Sequence, residues 1–150
     1  MSLSCTLLLI AGSFGVAETE TWTQFDNYAQ AYEAAKRTKQ PMLVILNPGG
    51  NSETKAISVA DVRRTEWRRT VLTNFVVAVI DTNTESGKRV HKAFGNDPLP
   101  HVSVIDKNQK YQLFNTSEKL YGQLWNQILQ RYRGGVQPTV PRPVQSFCPT

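Results

Sequence analysis

An unbroken apolar run, MLVIL at residues 42–46, is followed by the loop sequence NPGGNSETK at residues 47–55. An apolar run of this length is typical of a parallel strand that is covered on both faces. The Pro-Gly-Gly segment at residues 48–50 interrupts the run, and Asn51 or Ser52 can cap a helix that follows. This stretch therefore predicts a central strand that leads through a tight turn into a helix.

Strand-like and helix-like segments alternate on both sides of this stretch. The predicted strands are residues 21–25, 42–46, 75–80, 101–105 and 110–114, and the predicted helices are residues 26–38, 51–73, 85–94 and 117–133. Such alternation predicts an α/β protein in which helices cover both faces of one sheet. A tight turn at residues 106–108 joins the last two strands, so the end of the sheet is expected to be antiparallel.

The helix boundaries and buried faces can also be predicted. Asp26 is expected to cap the first helix, and the second is expected to break near Ser58, with Asp61 capping its second half. Trp67 and Val71 are expected to face the core from that half. The apolar face of the last helix is expected to carry Leu120, Tyr121, Leu124, Trp125, Ile128, Leu129 and Tyr132.

The composition is that of an ordinary globular domain. The chain has 150 residues, of which 40% are hydrophobic and 19% are charged, and this length fits one domain with its own core. The formal net charge is +5, and the densest basic cluster comprises Arg63, Arg64, Arg68 and Arg69. Arg64 and Arg68 are spaced to share one helical stripe, but no aromatic residues interleave the cluster as base stacking would require. We interpret the cluster as a solvated surface and expect no nucleic-acid partner, with nucleic-acid binding through this stripe as the alternative.

Both ends of the chain differ from its centre. Residues 1–17 carry no charge and combine a short apolar run with small residues at Gly15 and Ala17, a pattern that predicts a signal peptide. The mature domain would then span residues 18–135 and be periplasmic or secreted; without the signal it would be cytoplasmic. The apolar run is too short for a stable membrane span. Residues 136–150 contain four prolines and predict a flexible tail.

The chain contains two cysteines, Cys5 and Cys148, and two histidines, His91 and His101. Neither cysteine has a second one nearby, so no Cys-x-x-Cys pair or cysteine-based metal site can form. Cys5 would leave with the signal peptide, and Cys148 is interpreted as an incidental thiol, with a disulfide to a partner as the alternative. The histidines lack a neighbouring cluster of ligands. We therefore expect neither a metal nor another cofactor, and we expect His91 to face solvent.

The order of these elements resembles that of thioredoxin domains over about residues 21–133. The motifs that carry the resemblance are YEAAK at residues 32–36, QPMLV at residues 40–44, the NFV strand entry at residues 74–76 that leads to Asp81, the Phe94-Gly95 pair, and Pro100 before the closing hairpin. The resemblance implies a three-layer α/β/α sandwich whose central mixed sheet has four to five strands. It also implies a cis peptide bond between Leu99 and Pro100, in a loop that faces the active-site turn.

The active-site residues of that family are missing from this chain. The resemblance places the two cysteines of the family motif at Asn51 and Thr54, with Lys55 matching a lysine that is common after the second cysteine. Ile45 stands where many thioredoxins bury a carboxylate, and Gly50 stands where tryptophan is usual. Thiol–disulfide exchange needs one thiolate to attack and a second thiol to resolve the mixed disulfide. This chemistry is therefore not expected at this turn.

The sequence thus predicts a non-catalytic thioredoxin-like module that binds an extended peptide or a protein, or serves as a scaffold. The degenerate turn and the proline loop would form a shallow groove in which glycines leave room and a helix N-terminus offers N–H donors. The residues of this predicted groove are Gly49, Gly50, Asn51, Ser52, Glu53, Thr54, Lys55, Leu99, Pro100 and His101. Alternatively, the glycines only form the turn, and Asn51 or Ser52 only caps the helix.

An enzyme with a degenerate site is the alternative function. Thr54 would need an adjacent base to act as a nucleophile, and His101, which follows the proline loop, is the nearest candidate. Cys148 could act in redox chemistry if the tail folded back over the groove. Neither arrangement is supported by a sequence motif.

Overall fold

The computed structural model describes residues 22–50 and 56–138, which form a five-stranded sheet in the order β1-β3-β2-β4-β5. The strands are β1 Thr23–Phe25, β2 Met42–Asn47, β3 Val76–Asp81, β4 His101–Ile105 and β5 Gln112–Thr116, and the helices are α1 Tyr28–Thr38, α2 Val59–Val62, α3 Glu66–Leu72, α4 Glu85–Ala93 and α5 Gly122–Tyr132. Strands β1 and β2 pair in parallel with β3, whereas β4 is antiparallel to β2, and β5 is antiparallel to β4. The predicted mixed α/β sheet is confirmed.

Two separate cores lie on the two faces of this sheet, because successive strand residues point to opposite sides. The α1–α4 face buries Ala31, Ala34, Ala35, Met42, Val44, Leu46, Val76, Ala78 and Ile80. The α3–α5 face buries Leu43, Ile45, Ile57, Val62, Val71, Leu72, Phe75, Val77, Val102, Val104, Trp125, Ile128, Leu129 and Tyr132. Strand β2 supplies both cores, which explains why its apolar run is unbroken. Burying each large apolar side chain contributes about 1.5–3 kcal/mol.

The helix caps differ from two of the predictions. Asn27, not Asp26, caps α1 by accepting a hydrogen bond from a backbone N–H three residues further on. Ser58 caps α2, so the predicted break near this residue is confirmed. The predicted cap at Asp61 is wrong, because Asp61 lies inside α2 and Thr65 caps α3 instead. An N-cap lies one residue before the first helical residue. Because α3 begins at Glu66, its cap is Thr65 and not Asp61. The start of the predicted second helix, at residues 51–55, lies outside the described residues.

The closing hairpin is longer than predicted. Strand β5 begins at Gln112, two residues later than expected, because the loop wraps around the carboxylate of Asp106. That carboxylate accepts hydrogen bonds from the backbone N–H groups of Asn108, Lys110 and Tyr111. Burial raises the pKa of Asp106, but these backbone hydrogen bonds lower it more, so the net shift is downward. The predicted three-residue turn is therefore wrong.

Helix α5 starts at Gly122, five residues later than predicted, because a non-helical segment at residues 117–121 separates it from β5. Four residues of its predicted apolar face are buried, namely Trp125, Ile128, Leu129 and Tyr132. Tyr121 and Leu124, by contrast, are 64% and 49% exposed. No helix within residues 22–50 and 56–138 is both long and apolar enough to cross a membrane.

The buried face of α3 contradicts one prediction. Trp67, expected in the core, is 40% exposed, whereas its neighbour Arg68 is 4% exposed. Val71 is buried as predicted, together with Leu72. Residues 68, 71 and 72 share one side of a helix, and this side of α3 is the buried one.

Candidate functional site

The predicted groove lies where β2 ends and β4 begins. The two strands are antiparallel, and Leu46 pairs with His101. The loops that contain Gly50 and Pro100 therefore lie at the same end of the sheet. The peptide bond between Leu99 and Pro100 is cis, the form that the sequence resemblance implies.

The structure brings five of the ten predicted groove residues to this end of the sheet. These residues are Gly49, Gly50, Leu99, Pro100 and His101. The other five predicted groove residues, Asn51, Ser52, Glu53, Thr54 and Lys55, lie outside the described residues. Cys5 and Cys148 also lie outside them, so both catalytic alternatives, Thr54 with His101 and Cys148, remain predictions.

Asn47 fixes the two ends of the degenerate turn, a role that the sequence analysis missed. Its side-chain amide donates to the backbone carbonyl of Ile57 and accepts from the backbone N–H of the same residue, both at 2.9 Å. Its own backbone carbonyl accepts from the N–H and the hydroxyl of Thr82. A polar residue directly after five buried apolar ones was the signal available in the sequence. The chain before and after the turn is thus held to one strand end.

The two glycines of the turn have different roles. A side chain at Gly49 would overlap the Cβ of Asn83 and approach the carboxylate of Asp81. Glycine at this position therefore permits close packing of the turn on the loop after β3. Gly50 has a φ of +75°, a conformation that favours glycine, and a Cβ there would meet no atom of the described residues within 4 Å. Of the two glycines, Gly50 is therefore the one at which a side chain would have no close neighbour among the described residues.

His101 lies beneath the predicted groove and does not line it. Its ring is 1% exposed, and Nδ1 lies 3.1 Å from the hydroxyl of Ser117 and 3.7 Å from a carboxylate oxygen of Asp97. Its Nε2 has no hydrogen-bond partner within the described part of the chain. Burial lowers the pKa of His101, the charge of Asp97 opposes this, and His91 adds to the lowering. The net downward shift favours the neutral imidazole.

The prediction that His91 faces solvent is wrong, because this residue is half-buried. Its Nε2 lies 2.7 Å from the backbone carbonyl of Asp97, and this contact holds it against the loop that leads to Leu99. The rings of Phe94 and His101 meet edge to face, with centroids 6.1 Å apart. Within the described ranges, no group of three or more His, Cys, Asp or Glu side chains is arranged to hold a metal ion. The two histidines therefore stabilise the proline loop.

The arginine cluster does not form the predicted stripe. Arg64 lies between α2 and α3, outside any helix, and Arg68 is buried. The guanidinium of Arg63 lies 4.4 Å from the ring centroid of Trp22, a cation–π contact. Two of the four arginines therefore have defined contacts within the fold.

Known structures with a similar fold include thioredoxins and an oxidoreductase. A thioredoxin from Thermus thermophilus has a TM-score of 0.59 at 15% identity, with 77% of this chain and 92% of that chain covered. The oxidoreductase DsbH has a TM-score of 0.54 at 16% identity, with 76% and 85% covered. Thioredoxin f from spinach chloroplast has a TM-score of 0.52 at 14% identity, with 74% and 92% covered. No family model and no curated protein matches the chain.

These likenesses show the class of protein by its fold. The chain is a thioredoxin-fold protein, with a mixed five-stranded sheet and helices on both faces. The positions of its cysteines distinguish it from thioredoxin-fold proteins that carry a Cys-x-x-Cys motif. Its two cysteines are 143 residues apart in sequence, at Cys5 and Cys148, so it contains no Cys-x-x-Cys motif.

Proposed function

We propose that this protein is a non-catalytic thioredoxin-fold module that binds an extended polypeptide at the end of the sheet formed by the turn after β2 and the Leu99–Pro100 loop. The observation that carries this proposal is the replacement of the dithiol motif by Asn51-Ser52-Glu53-Thr54. An amide and a hydroxyl cannot carry out thiol–disulfide exchange, which requires two thiols. The absence of a carboxylate at Ile45, which is fully buried among apolar side chains, agrees with the loss of proton transfer at this site.

The retained architecture supports a binding role. Asn47 holds both ends of the turn, and the contacts of His91 and His101 hold the proline loop. A Cβ at Gly50 would meet no atom of the described residues within 4 Å, so an extended chain could approach the backbone at this turn. The arrangement keeps a fixed surface at a position where the chain has no reactive sulfur.

A redox assay tests the non-catalytic part of the proposal. The protein is expected to reduce insulin with dithiothreitol no faster than the reagent alone. The variant Asn51→Cys/Thr54→Cys, which restores the motif, is expected to accelerate the reaction, because a thiol at a helix N-terminus has a lowered pKa. The single variant Asn51→Cys is the matched control and should stay inactive. Activity of the unmodified chain that persists in Cys148→Ser would overturn the proposal.

A binding assay tests the polypeptide site. The probe is reduced, carboxymethylated lactalbumin, which is permanently unfolded, and binding is followed by fluorescence anisotropy. Gly50→Trp is expected to weaken binding by placing a bulky side chain at the turn after β2, where the polypeptide would lie. Gly50→Asn is the matched control, because asparagine tolerates a positive φ and adds little bulk. Equal affinity of both variants for the probe, or no binding by the unmodified chain, would contradict a polypeptide site at this turn.

Export is a further part of the proposal and rests on residues 1–17 alone. The mature protein is expected to begin at Glu18, after the small residues Gly15 and Ala17. Mass spectrometry of the protein recovered from the periplasm or medium of an expressing bacterium gives its N-terminus. Recovery of only the full-length chain from the cytoplasm would contradict export.

A further inference from the structure

Arg68 is a buried cation whose partners are all neutral. Its Nε donates to the side-chain oxygen of Asn126 at 2.7 Å, and its two terminal nitrogens donate to the backbone carbonyls of Asp61 and Gly122. Among the described residues, the close contacts between basic and acidic side chains are Lys88 with Glu85 and the neutral His101 ring with Asp97, so neither involves Arg68. Buried charges in proteins are normally paired with an opposite charge. Within residues 22–50 and 56–138, no carboxylate forms a salt bridge with this guanidinium.

A cavity of about 210 Å³ adjoins this guanidinium. Arg64 and Lys119 line it together with Arg68, and Asp61 is the one acidic residue among the described lining residues, so these residues carry a net charge of +2. The Asp61 carboxylate already accepts a hydrogen bond from the hydroxyl of Ser58, at 2.8 Å. The cavity therefore presents an excess of positive charge at a partly enclosed position.

The start of α5 lies at the same wall. Tyr121 is the N-cap of this eleven-residue helix and makes no side-chain hydrogen bond to it, and both Tyr121 and Gly122 line the cavity. The first N–H groups of a helix have no partner within the helix and favour anions. Lys119 is held at the rim, with Nζ 5.7 Å from the ring centroid of Tyr121.

The charges in this cavity repel one another when no anion is present. Burial lowers the pKa of Arg68, and the charge of Arg64 lowers it further. An anion between the two guanidinium groups would remove both penalties. The rest of the lining is apolar and is supplied by Ile57, Leu120 and Trp125.

We infer that this cavity binds a small phosphate monoester, with the phosphate between Arg64, Arg68 and Lys119 and its apolar substituent against Leu120 and Trp125. A phosphate monoester carries about −1.5 to −2 charges at pH 7, which matches the net charge of the lining better than one carboxylate does. Planar guanidinium groups bind phosphate oxygens through paired hydrogen bonds. The site lies on the α3–α5 face and is separate from the proposed polypeptide site.

Calorimetric titration tests this inference with phenyl phosphate as the probe and phenol as its neutral control. Titration to about 10 mM at constant ionic strength is expected to show saturable binding of phenyl phosphate and none of phenol. Inorganic phosphate is expected to bind more weakly, because it leaves the apolar wall empty. Arg64→Gln and Lys119→Gln should each weaken binding by about tenfold or more, since each removes a charge-assisted hydrogen bond. Both side chains are exposed, so these variants are expected to fold.

Matched charge variants outside the cavity separate a site from general attraction. Arg69→Gln on α3 and Lys36→Gln on α1 remove the same charges from exposed positions and should leave the affinity unchanged. Weakening confined to the two lining variants supports the inference. Equal weakening in all four variants, or no binding of phenyl phosphate, would overturn it. Both results are independent of the redox and polypeptide assays.

Discussion

On one face of the sheet, helix α1 packs three alanines closely against β2 and β3, whereas on the other face α3 buries Arg68 beneath α5. The α1–α4 face contains the buried ring of His101. The pKa of this ring is lowered, which favours its neutral form. The other side holds a permanent cation beside a cavity. The same apolar strands thus support a tightly packed layer on one face and a polar, partly hollow layer on the other.

This difference follows from what each helix places on the sheet. Small side chains at Ala31 and Ala35 let a helix approach closely and leave no room for water or a ligand. A guanidinium needs fixed acceptors around it, and these come from the α2 backbone and from α5. A site that can take a ligand is therefore expected on the α3–α5 face, and a packed layer with no such site on the α1–α4 face.

The largest effect is expected from the two tryptophans of the α3–α5 face. Trp125 is 2% exposed and Trp67 is 40% exposed. Trp125→Ala is expected to lower the free energy of unfolding by about 3–5 kcal/mol, because it opens a cavity in the core. Trp67→Ala should cost less than about 1 kcal/mol. Urea unfolding followed by circular dichroism measures both variants. Equal losses of unfolding free energy would contradict the burial of Trp125 and the exposure of Trp67.

Removal of the buried cation is expected to have the next largest effect. Arg68→Ala should lower the free energy of unfolding by about 3 kcal/mol, since it leaves several buried acceptors unpaired. Arg69→Ala, an exposed neighbour on the same helix, is the control and should change stability by no more than about 0.5 kcal/mol. Chemical denaturation compares the two variants. An unchanged midpoint for Arg68→Ala would show that the guanidinium is not buried in solution.

Overpacking tests the opposite face. Ala35 of α1 is fully buried against the sheet, and Ala35→Leu is expected to destabilise the fold by about 1–3 kcal/mol, because it adds carbons to a closely packed core. Ala29→Leu, at an exposed position of the same helix, should be close to neutral. Thermal melts of the two variants give the difference, and tolerance of leucine at position 35 would remove the contrast between the two faces.

The smallest effect concerns pH. Because the folded-state pKa of His101 is lowered, its contribution is complete above the ordinary histidine pKa near 6.5 and is lost as the pH falls below it. The free energy of unfolding should then decrease with a slope of at most about 1.4 kcal/mol per pH unit, until the lower folded-state pKa is reached. His101→Phe should remove this slope, and Asp97→Asn should extend it to lower pH.

Urea unfolding at a series of pH values between neutral and mildly acidic measures these slopes. Arginine side chains do not titrate in this pH range. Arg69→Ala is therefore a control whose slope should match that of the unmodified chain. The same slope in His101→Phe and in the unmodified chain would mean that the ring is not buried neutral.

Much of the fold could be predicted from local patterns. The apolar runs that became β2 and β3, the amphipathic α1, and the glycine-rich turn after β2 are all readable because strand and helix periodicities are short-range properties. The cis bond before Pro100 followed from the resemblance and is present in the structure. The loop around Asp106 was mispredicted, because its length is set by three hydrogen bonds to one side chain and not by turn residues.

The candidate sites were less predictable. The two hydrogen bonds between the Asn47 side chain and the Ile57 backbone join residues ten positions apart across the turn. No local sequence pattern predicts such a pair. Arginine was treated as a surface residue, as is usual. The burial of Arg68 depends on acceptors at Gly122 and Asn126, which lie more than fifty residues away. Trp67 was wrongly predicted to lie in the core because its exposure also depends on how α3 packs against distant segments.

The sequence by itself determined the class of fold and the absence of a dithiol, because alternating apolar patterns and the positions of two cysteines need no coordinates. The tertiary structure decided which face of each helix is buried, that His101 lies below the surface, and that Arg68, Arg64 and Lys119 meet at one cavity. The physical reason is that burial and charge pairing depend on contacts between distant segments. Such contacts form only when the sheet brings those segments together.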